Sequence, residues 1–199
     1  QNVYKSMEFD ELTFLEDLPR DVEMINYYTS DKVTTDLIID SYKEHLMKNP
    51  EKGYFNFTVT IQNHGPYKES EPETKRIVRP QGLSDIQYNI LEHYLNNLYD
   101  ASMLLCDVAE FAESVDKPTV IVFFGDHLPY LDPEYNVYET IGYSLKESGA
   151  EGFIKQHSTP FVIWGNSAFK NERNHRINND GGLISSNFLA AKFLEYIDA

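Results

Sequence analysis

The stretch Val120-Ile121-Val122-Phe123-Phe124-Gly125-Asp126-His127 places a carboxylate and an imidazole directly after an apolar run. Consecutive β-branched and aromatic residues are typical of a strand that is buried on both faces. In open α/β sheets, ligands bind just beyond the carboxyl ends of strands, and a glycine lets the backbone turn tightly there. An Asp oxygen and a His nitrogen suit a divalent metal ion. The simpler alternative is an Asp that caps the following turn beside an incidental His.

The composition is that of a folded globular domain. Of the 199 residues, 41% are hydrophobic and 14% are aromatic, which is enough for one sizeable core. The formal net charge of -15 argues against a nucleic-acid partner, because a protein that neutralises phosphates needs a basic face. An anionic substrate therefore needs a metal ion or local cations. The single cysteine excludes an internal disulfide, and no stretch resembles a membrane span or a signal peptide.

Capping signals and apolar spacing predict the helices. The strongest helix opens at Ser84, where Gln87 completes a capping box, and its apolar stripe continues at spacings of three and four residues to Ala112. Another helix is predicted from Ser30 or Asp31 up to the stop at 49–50. A last helix is predicted after residue 185 or 186, and a further one around 138–146.

Strands are predicted between these helices, at 54–62, 119–124 and 159–164. The first thirty residues have no sustained period, and 63–83 has the composition of a long surface loop. Alternating strands and helices predict an α/β fold with a mainly parallel, mixed sheet, right-handed crossovers and helices on both faces. We expect a single domain over residues 1–199.

Two predicted strand ends bring ionisable side chains to one edge of this sheet. His64 follows the first strand, and Asp126 and His127 follow the second. Because the carboxyl ends of parallel strands lie at the same edge, the two His and the Asp are predicted to converge. His64 then hydrogen-bonds a bound phosphate or sulfate, or acts as an acid. The alternative is a turn histidine beside Asn63 and Gly65.

The other histidines are interpreted as structural or solvated. His157 precedes the third strand, so in a parallel sheet it lies at the opposite end from His64 and His127 unless its loop folds over, and it is interpreted as structural. His45 and His93 lie in amphipathic helices, and His175 lies in a polar loop. The sequence has no glycine-rich phosphate loop, no Gly-x-Ser-x-Gly elbow and no paired-cysteine metal site.

Four motifs in register resemble a known family. They are Asn63-His64-Gly65-Pro66-Tyr67, the segment from Tyr94 to Asp100, the Val120 to His127 stretch, and Thr159-Pro160-Phe161-Val162-Ile163-Trp164-Gly165-Asn166. In this order and spacing they resemble the C-terminal half of the extracellular catalytic domain of lipoteichoic-acid synthase and its phosphoglycerol-transferase relatives. Those enzymes are sulfatase-like members of the alkaline phosphatase superfamily. The similarity runs from about Val3 to the end of the chain, and it implies a partial sulfatase-like fold.

The resemblance also implies a metal site and a substrate. Asp126 and His127 match two ligands of a single divalent metal ion, manganese in the synthases, with magnesium, zinc or calcium as alternatives. His64 matches a contact to the substrate phosphate. In the family, a Thr nucleophile attacks the phosphorus of a phosphatidylglycerol head group to give a glycerophospho-enzyme, which then passes its group to a cell-wall polymer or another acceptor. The metal activates the hydroxyl and stabilises charge on the phosphoryl oxygens.

This chain departs from the family pattern in one large respect. The family places its Thr nucleophile, a metal-binding Glu and the remaining pocket residues upstream of the point where this chain begins, along with membrane spans. We therefore expect a fragment of a larger protein anchored at the extracellular face of a bacterial membrane. Two ligands bind a divalent ion poorly, so we expect the chain alone to have weak metal affinity and no activity. The sheet edge that would meet the upstream half would be exposed, so we also expect the chain alone to self-associate.

Two other functions fit the same residues. One is a sulfatase or another sulfuric or phosphoric ester hydrolase of the superfamily, which uses the same Asp-His pair. The other is a non-catalytic domain that binds an anionic cell-wall polymer or a partner protein. The identity of the upstream nucleophile separates the enzymes from each other, and its absence marks the binding domain.

Overall fold

A computed structural model describes residues 2–173 and 181–198, which form two compact units, Gln1–Gln62 and Asn63–Ala199. The predicted loop position of His175 lies outside the described residues. No helix in the described ranges has the length and apolarity needed to cross a membrane.

The first unit is built around one long helix. Helix α1 (Asn2–Ser6) leads to a short antiparallel hairpin of β1 (Met24–Ile25) and β2 (Tyr28–Thr29), and then to helix α2 (Asp31–Lys48). The predicted cap is confirmed, because the Ser30 hydroxyl accepts a hydrogen bond from the Val33 backbone N–H at 3.2 Å. This bond satisfies one of the amide groups that an α-helix leaves open at its start.

The strand predicted at 54–62 is not formed. These residues have no ladder partner among the described parts of the chain. A strand requires a neighbour for its backbone N–H and C=O groups, which the apolar pattern alone does not supply. The alternate side chains of this segment are also between 41% and 74% exposed; they are Phe55, Phe57, Val59 and Ile61.

The second unit packs around the longest helix, α3 (Asp85–Ser114). Its predicted capping box is confirmed. The Gln87 backbone N–H donates to the Ser84 hydroxyl at 3.2 Å, and the Ser84 backbone N–H donates to the Gln87 side-chain oxygen at 2.8 Å. The buried cluster against this helix draws on α3 and on the loops around it: Tyr67, Leu83, Tyr88, Ile90, Leu91, Leu131 and Val137.

The sheet of the second unit is antiparallel. Strand β3 (Val120–Phe124) pairs with β4 (Phe161–Gly165), and Phe124 lies opposite Phe161. The mixed α/β composition is confirmed, whereas the parallel pairing is not observed in the described residues. The chain leaves β3, forms helices α4 (Val137–Thr140) and α5 (Gly149–His157), and returns at the same end of the sheet. An antiparallel pair needs no crossover, so the start of β4 lies beside the end of β3.

Asn166 fixes the other end of this strand pair. Its fully buried side chain accepts from the backbone N–H groups of Thr119 and Phe169 at 3.0 and 2.9 Å. It donates to the carbonyls of Ala112 and Lys117 at 2.8 and 2.9 Å. The motif ending at Asn166 is therefore a structural connection between α3 and both strands. Helices α6 (Ser167–Arg173) and α7 (Leu189–Asp198) complete the unit.

Candidate functional site

The turn that carries Asp126 is held by the start of β4. The Gly125 backbone N–H donates to the Pro160 carbonyl at 3.1 Å, and the Thr159 hydroxyl donates to the Gly125 carbonyl at 2.6 Å. A Cβ atom added to Gly125 would lie 3.2 Å from Thr159 Cβ, so a residue with a side chain would be crowded here. The turn follows the strand end as predicted, and its position is set by bonds across the strand pair.

Asp126 and His127 present an oxygen and a nitrogen close to each other. Asp126 Oδ1 accepts the backbone N–H of His127 at 2.9 Å, and Asp126 Oδ2 lies 3.7 Å from His127 Nε2. His127 Nδ1 lies 2.8 Å from the Leu128 carbonyl oxygen, which can only accept, so Nδ1 carries the proton. In the neutral ring Nε2 then has its lone pair available, the usual arrangement of a metal-binding histidine.

The donor pair fits a divalent ion as part of a ligand set. Metal bonds to oxygen and imidazole nitrogen are about 2.0 to 2.2 Å long, so one ion can contact two donor atoms that lie 3.7 Å apart. Both side chains are exposed, at 79% for Asp126 and 59% for His127, which leaves room for further ligands. Within residues 2–173 and 181–198, no group of three or more His, Cys, Asp or Glu side chains is placed to hold a metal.

His64 lies beside this pair. Its ring centroid is 6.0 Å from that of His127, and the two rings are perpendicular. The turn around His64 is closed by the Tyr67 hydroxyl, which donates to the Asn63 carbonyl at 2.8 Å. A Cβ atom added to Gly65 would lie 3.2 Å from the Tyr130 carbonyl oxygen, which shows how closely this turn approaches the loop after His127. The structure thus brings His64 and His127 together, although without the predicted parallel strands.

A cavity of about 740 Å³ opens at this point. His64 and His127 line it, together with residues of the chain between β3 and β4, and the lining is mostly apolar. Its size lies within the usual range for a small-ligand pocket. One wall is formed by Tyr138, whose hydroxyl donates to the Pro129 carbonyl at 2.6 Å. Burial and the neighbouring Tyr94 and Tyr143 raise the pKa of Tyr138 to about 12, so the phenol stays neutral near neutral pH.

His157 lines the same cavity, and its predicted position at the opposite end of the sheet is wrong. The prediction assumed parallel strands. In the antiparallel pair, the residues just before β4 lie at the same end as those just after β3. His157 is the last residue of α5 and is followed closely by Thr159, which is bonded to the turn at Gly125. The position of His157 depends on the direction of β4 relative to β3, and no local sequence signal indicates that direction.

The two described histidines outside the cavity form contacts to backbone carbonyls. His45 Nε2 lies 3.0 Å from the Lys52 carbonyl oxygen, and His93 Nε2 lies 2.9 Å from that of Ser70. They are interpreted as structural.

Comparisons with known proteins point in one direction. A family model described as sulfatase matches residues 1–199. A protein of Rhizobium meliloti (strain 1021) named "Putative cyclic beta-1,2-glucan modification protein" is 32% identical over 170 residues, which are 82% of this chain and 25% of that protein. The "Capsular polysaccharide biosynthesis protein RkpI" of the same organism is 25% identical over 123 residues, 62% of this chain and 20% of that protein. The chain thus spans about a quarter of the length of the first relative. No solved structure gives a significant match.

Proposed function

The chain belongs to the sulfatase family, and from this we propose that it is part of a metal-dependent enzyme that modifies a polysaccharide of the cell envelope. The finer proposal is a phosphoglycerol transferase that takes its group from a phosphatidylglycerol-type lipid and gives it to a glycan acceptor. Such a donor lies in a membrane, and this enzyme is proposed to act at the extracellular face of the bacterial cell membrane. The chain is proposed to form the C-terminal part of its catalytic domain.

One observation carries the proposal: Asp126 Oδ2 and His127 Nε2 lie 3.7 Å apart, and His127 lines a cavity that His64 also lines. A carboxylate and an imidazole with a backbone-bonded Nδ1 are suitable ligands for one divalent ion. The formal net charge of -15 makes a cation necessary if the substrate is an anion. Both relatives are named for work on polysaccharides, which supports a glycan acceptor.

Asp126 and His127 would hold the ion, most simply manganese, which polarises phosphoryl oxygens and activates a hydroxyl when it is bound. His64 would hold the anionic group of the substrate. Its Nδ1 lies 2.7 Å from the Gly65 carbonyl oxygen and donates there, and the Nε2–H of the protonated ring is the group proposed to donate to a phosphate oxygen. No Thr of this chain is assigned as the nucleophile, which is proposed to lie upstream.

A metal titration of the chain tests the core of this proposal. Mn²⁺ is added to protein with labelled histidines, and paramagnetic broadening of each imidazole resonance is followed. We expect the His127 resonance to broaden first. Asp126→Asn should weaken the apparent affinity for Mn²⁺ about tenfold or more, because the carboxylate, one of the two proposed ligands, is lost. His93→Gln is the matched control, since His93 Nε2 lies 2.9 Å from the Ser70 carbonyl oxygen and His93 does not line the cavity. Unchanged affinity in Asp126→Asn would contradict the proposal.

A substrate test separates the proposed transferase from the sulfatase alternative. The whole enzyme is given a chromogenic phosphodiester and a chromogenic sulfate ester with Mn²⁺ or Ca²⁺. We expect turnover of the phosphodiester, and loss of that turnover on chelation. Turnover of the sulfate ester alone would favour a sulfuric ester hydrolase, and turnover of neither would favour a non-catalytic polymer-binding domain. The 199-residue chain, without an assigned nucleophile, is expected to turn over neither substrate.

A further inference from the structure

We infer that His157 is a substrate contact whose Nε2 accepts a hydrogen bond from a sugar hydroxyl, and that the part of the cavity around it holds the carbohydrate acceptor. The inference rests on the proposed function and deepens it, because it assigns a substrate class to the part of the cavity around His157.

The position of His157 is fixed by the strand pair. Backbone pairing continues past the last strand residues, since the Gly125 N–H donates to the Pro160 carbonyl at 3.1 Å. The Thr159 hydroxyl adds a bond of 2.6 Å to the Gly125 carbonyl. His157 therefore sits on a segment that is tied to the same turn that presents Asp126. His127 and His157 line the same cavity.

The ring of His157 is held in one orientation. Its Nδ1 lies 2.8 Å from the Phe153 carbonyl oxygen, and the ring stacks on Phe153 with 4.2 Å between centroids. Because a carbonyl only accepts, Nδ1 carries the proton, and Nε2 of the neutral ring is an acceptor. Nε2 has no partner within the described residues. Such a nitrogen is suited to a hydroxyl donor.

The described histidines differ in which ring nitrogen contacts a backbone carbonyl. His64, His127 and His157 line the cavity, and each uses Nδ1 for a neighbouring backbone carbonyl. His45 and His93 lie outside the cavity and use Nε2 instead. The backbone carbonyl thus contacts Nδ1 in the histidines that line the cavity and Nε2 in the two that do not. In His127 and His157 the backbone bond therefore makes Nε2 the acceptor nitrogen of the neutral ring.

The surrounding lining is that of a carbohydrate subsite. The Tyr130 side chain, which lines the cavity, is 55% exposed and offers a ring for the apolar face of a sugar. Asn136 and Gln156 add amide groups that can both donate and accept. Lys146 also lines the cavity, and its side chain forms no ion pair within the described residues. Polar groups that fix orientation on a mostly apolar wall are typical of a small-ligand site.

Histidine NMR on the chain tests the inference. A neutral β-1,2-linked gluco-oligosaccharide is titrated into protein with labelled imidazoles. We expect the His157 resonances to shift in a saturable way while those of His45 and His93 stay in place. Absence of a shift at His157, or equal shifts at all of these histidines, would overturn the inference. Inorganic phosphate is the second probe, and a response of His157 to phosphate alone would make this an anion site and overturn the carbohydrate assignment.

Two substitutions at His157 sharpen the test. His157→Phe keeps a ring that can stack on Phe153 but removes both nitrogens, so we expect oligosaccharide binding to weaken about tenfold, the usual effect of one lost hydrogen bond to a ligand. His157→Gln places an amide oxygen near the former Nε2 and should keep binding within roughly threefold. His45→Phe is the matched control and should bind as the parent does. Wild-type binding by His157→Phe would overturn the contact.

The result is separable from the proposed function. Broadening of His127 by Mn²⁺ with no response of His157 to the oligosaccharide would reject this inference and leave the metal-dependent function standing. A response of His157 to the oligosaccharide without any broadening of His127 would reject the proposed metal chemistry and keep the carbohydrate site.

Discussion

The Thr159 hydroxyl donates to the carbonyl of Gly125 at 2.6 Å, and this bond ties the start of the last strand of the sheet to the turn that carries Asp126. The same two residues are in close packing contact, since a Cβ on Gly125 would lie 3.2 Å from Thr159 Cβ. The candidate metal ligands are thus positioned by a residue far along the chain. The relationship gives the first of five predictions.

Thr159→Val should loosen the turn at Asp126. Valine has nearly the same shape but no hydroxyl, so the Gly125 carbonyl loses its donor at a cost of about 1 kcal/mol in the free energy of unfolding. We expect weaker Mn²⁺ binding as well, because Asp126 is no longer held in place. Thr159→Ser keeps the hydroxyl and is the control. Urea unfolding and Mn²⁺ titration check both effects, and identical behaviour of the Val and Ser variants would contradict the prediction.

Asn166→Ala should destabilise the second unit strongly. The buried amide joins the N–H groups of Thr119 and Phe169 to the carbonyls of Ala112 and Lys117. Each buried backbone group left without a partner costs about 1 to 3 kcal/mol, so we expect a loss of several kcal/mol in urea unfolding.

The matched control for that change is Asn171→Ala. Asn171 is exposed in α6, and its substitution should change the free energy of unfolding by no more than about 0.5 kcal/mol. Equal stabilities for the two variants would show that the buried amide of Asn166 is not a structural connection.

Tyr138→Phe should flatten the loss of stability in alkali. The pKa of Tyr138 is about 12 in the folded protein, above the ordinary value of 10.0, so the folded state keeps a proton that the unfolded state loses. The resulting stabilisation is fully present below pH 10 and is lost as the pH rises from 10 towards 12. Urea unfolding at several pH values should show wild type and Tyr138→Phe converging across that window. Parallel curves would mean that Tyr138 does not titrate as described.

His64→Ala should separate substrate binding from metal binding. His64 lies 6.0 Å from His127 between ring centroids, but it is proposed to hold the substrate anion and not the metal. We expect Mn²⁺ affinity within about twofold of wild type, and at least about a tenfold loss of affinity for inorganic phosphate measured with Mn²⁺ present. Loss of the metal in this variant would make His64 a third metal ligand.

Phe55→Lys should reduce self-association of the chain. The alternate apolar side chains from Phe55 to Ile61 are exposed on a segment without ladder partners in the described residues, and such segments pair between copies. Thr58→Lys adds the same charge at an exposed polar position of the segment and is the control. Light scattering at high concentration should show smaller species for Phe55→Lys alone. A monomeric wild type would remove the basis of this prediction.

Local features could be predicted because their physics is local. The Ser84 and Gln87 capping box and the Ser30 cap depend on residues three positions apart, and both form as the sequence indicates. The apolar run before Gly125 forms a strand for the same reason, because β-branched and aromatic residues favour it wherever a partner exists.

The sequence by itself determined the two long helices capped at Ser30 and Ser84, the strand before Gly125, and the presence of Asp126 and His127 at its end. Only the tertiary structure decided which way β4 runs beside β3, and hence that His157 joins His64 and His127 at one cavity. It also decided that residues 54–62 have no ladder partner in the described chain. The reason is physical: strand direction and pairing depend on contacts between distant segments, and the period of the side chains is the same for parallel, antiparallel and unpaired strands.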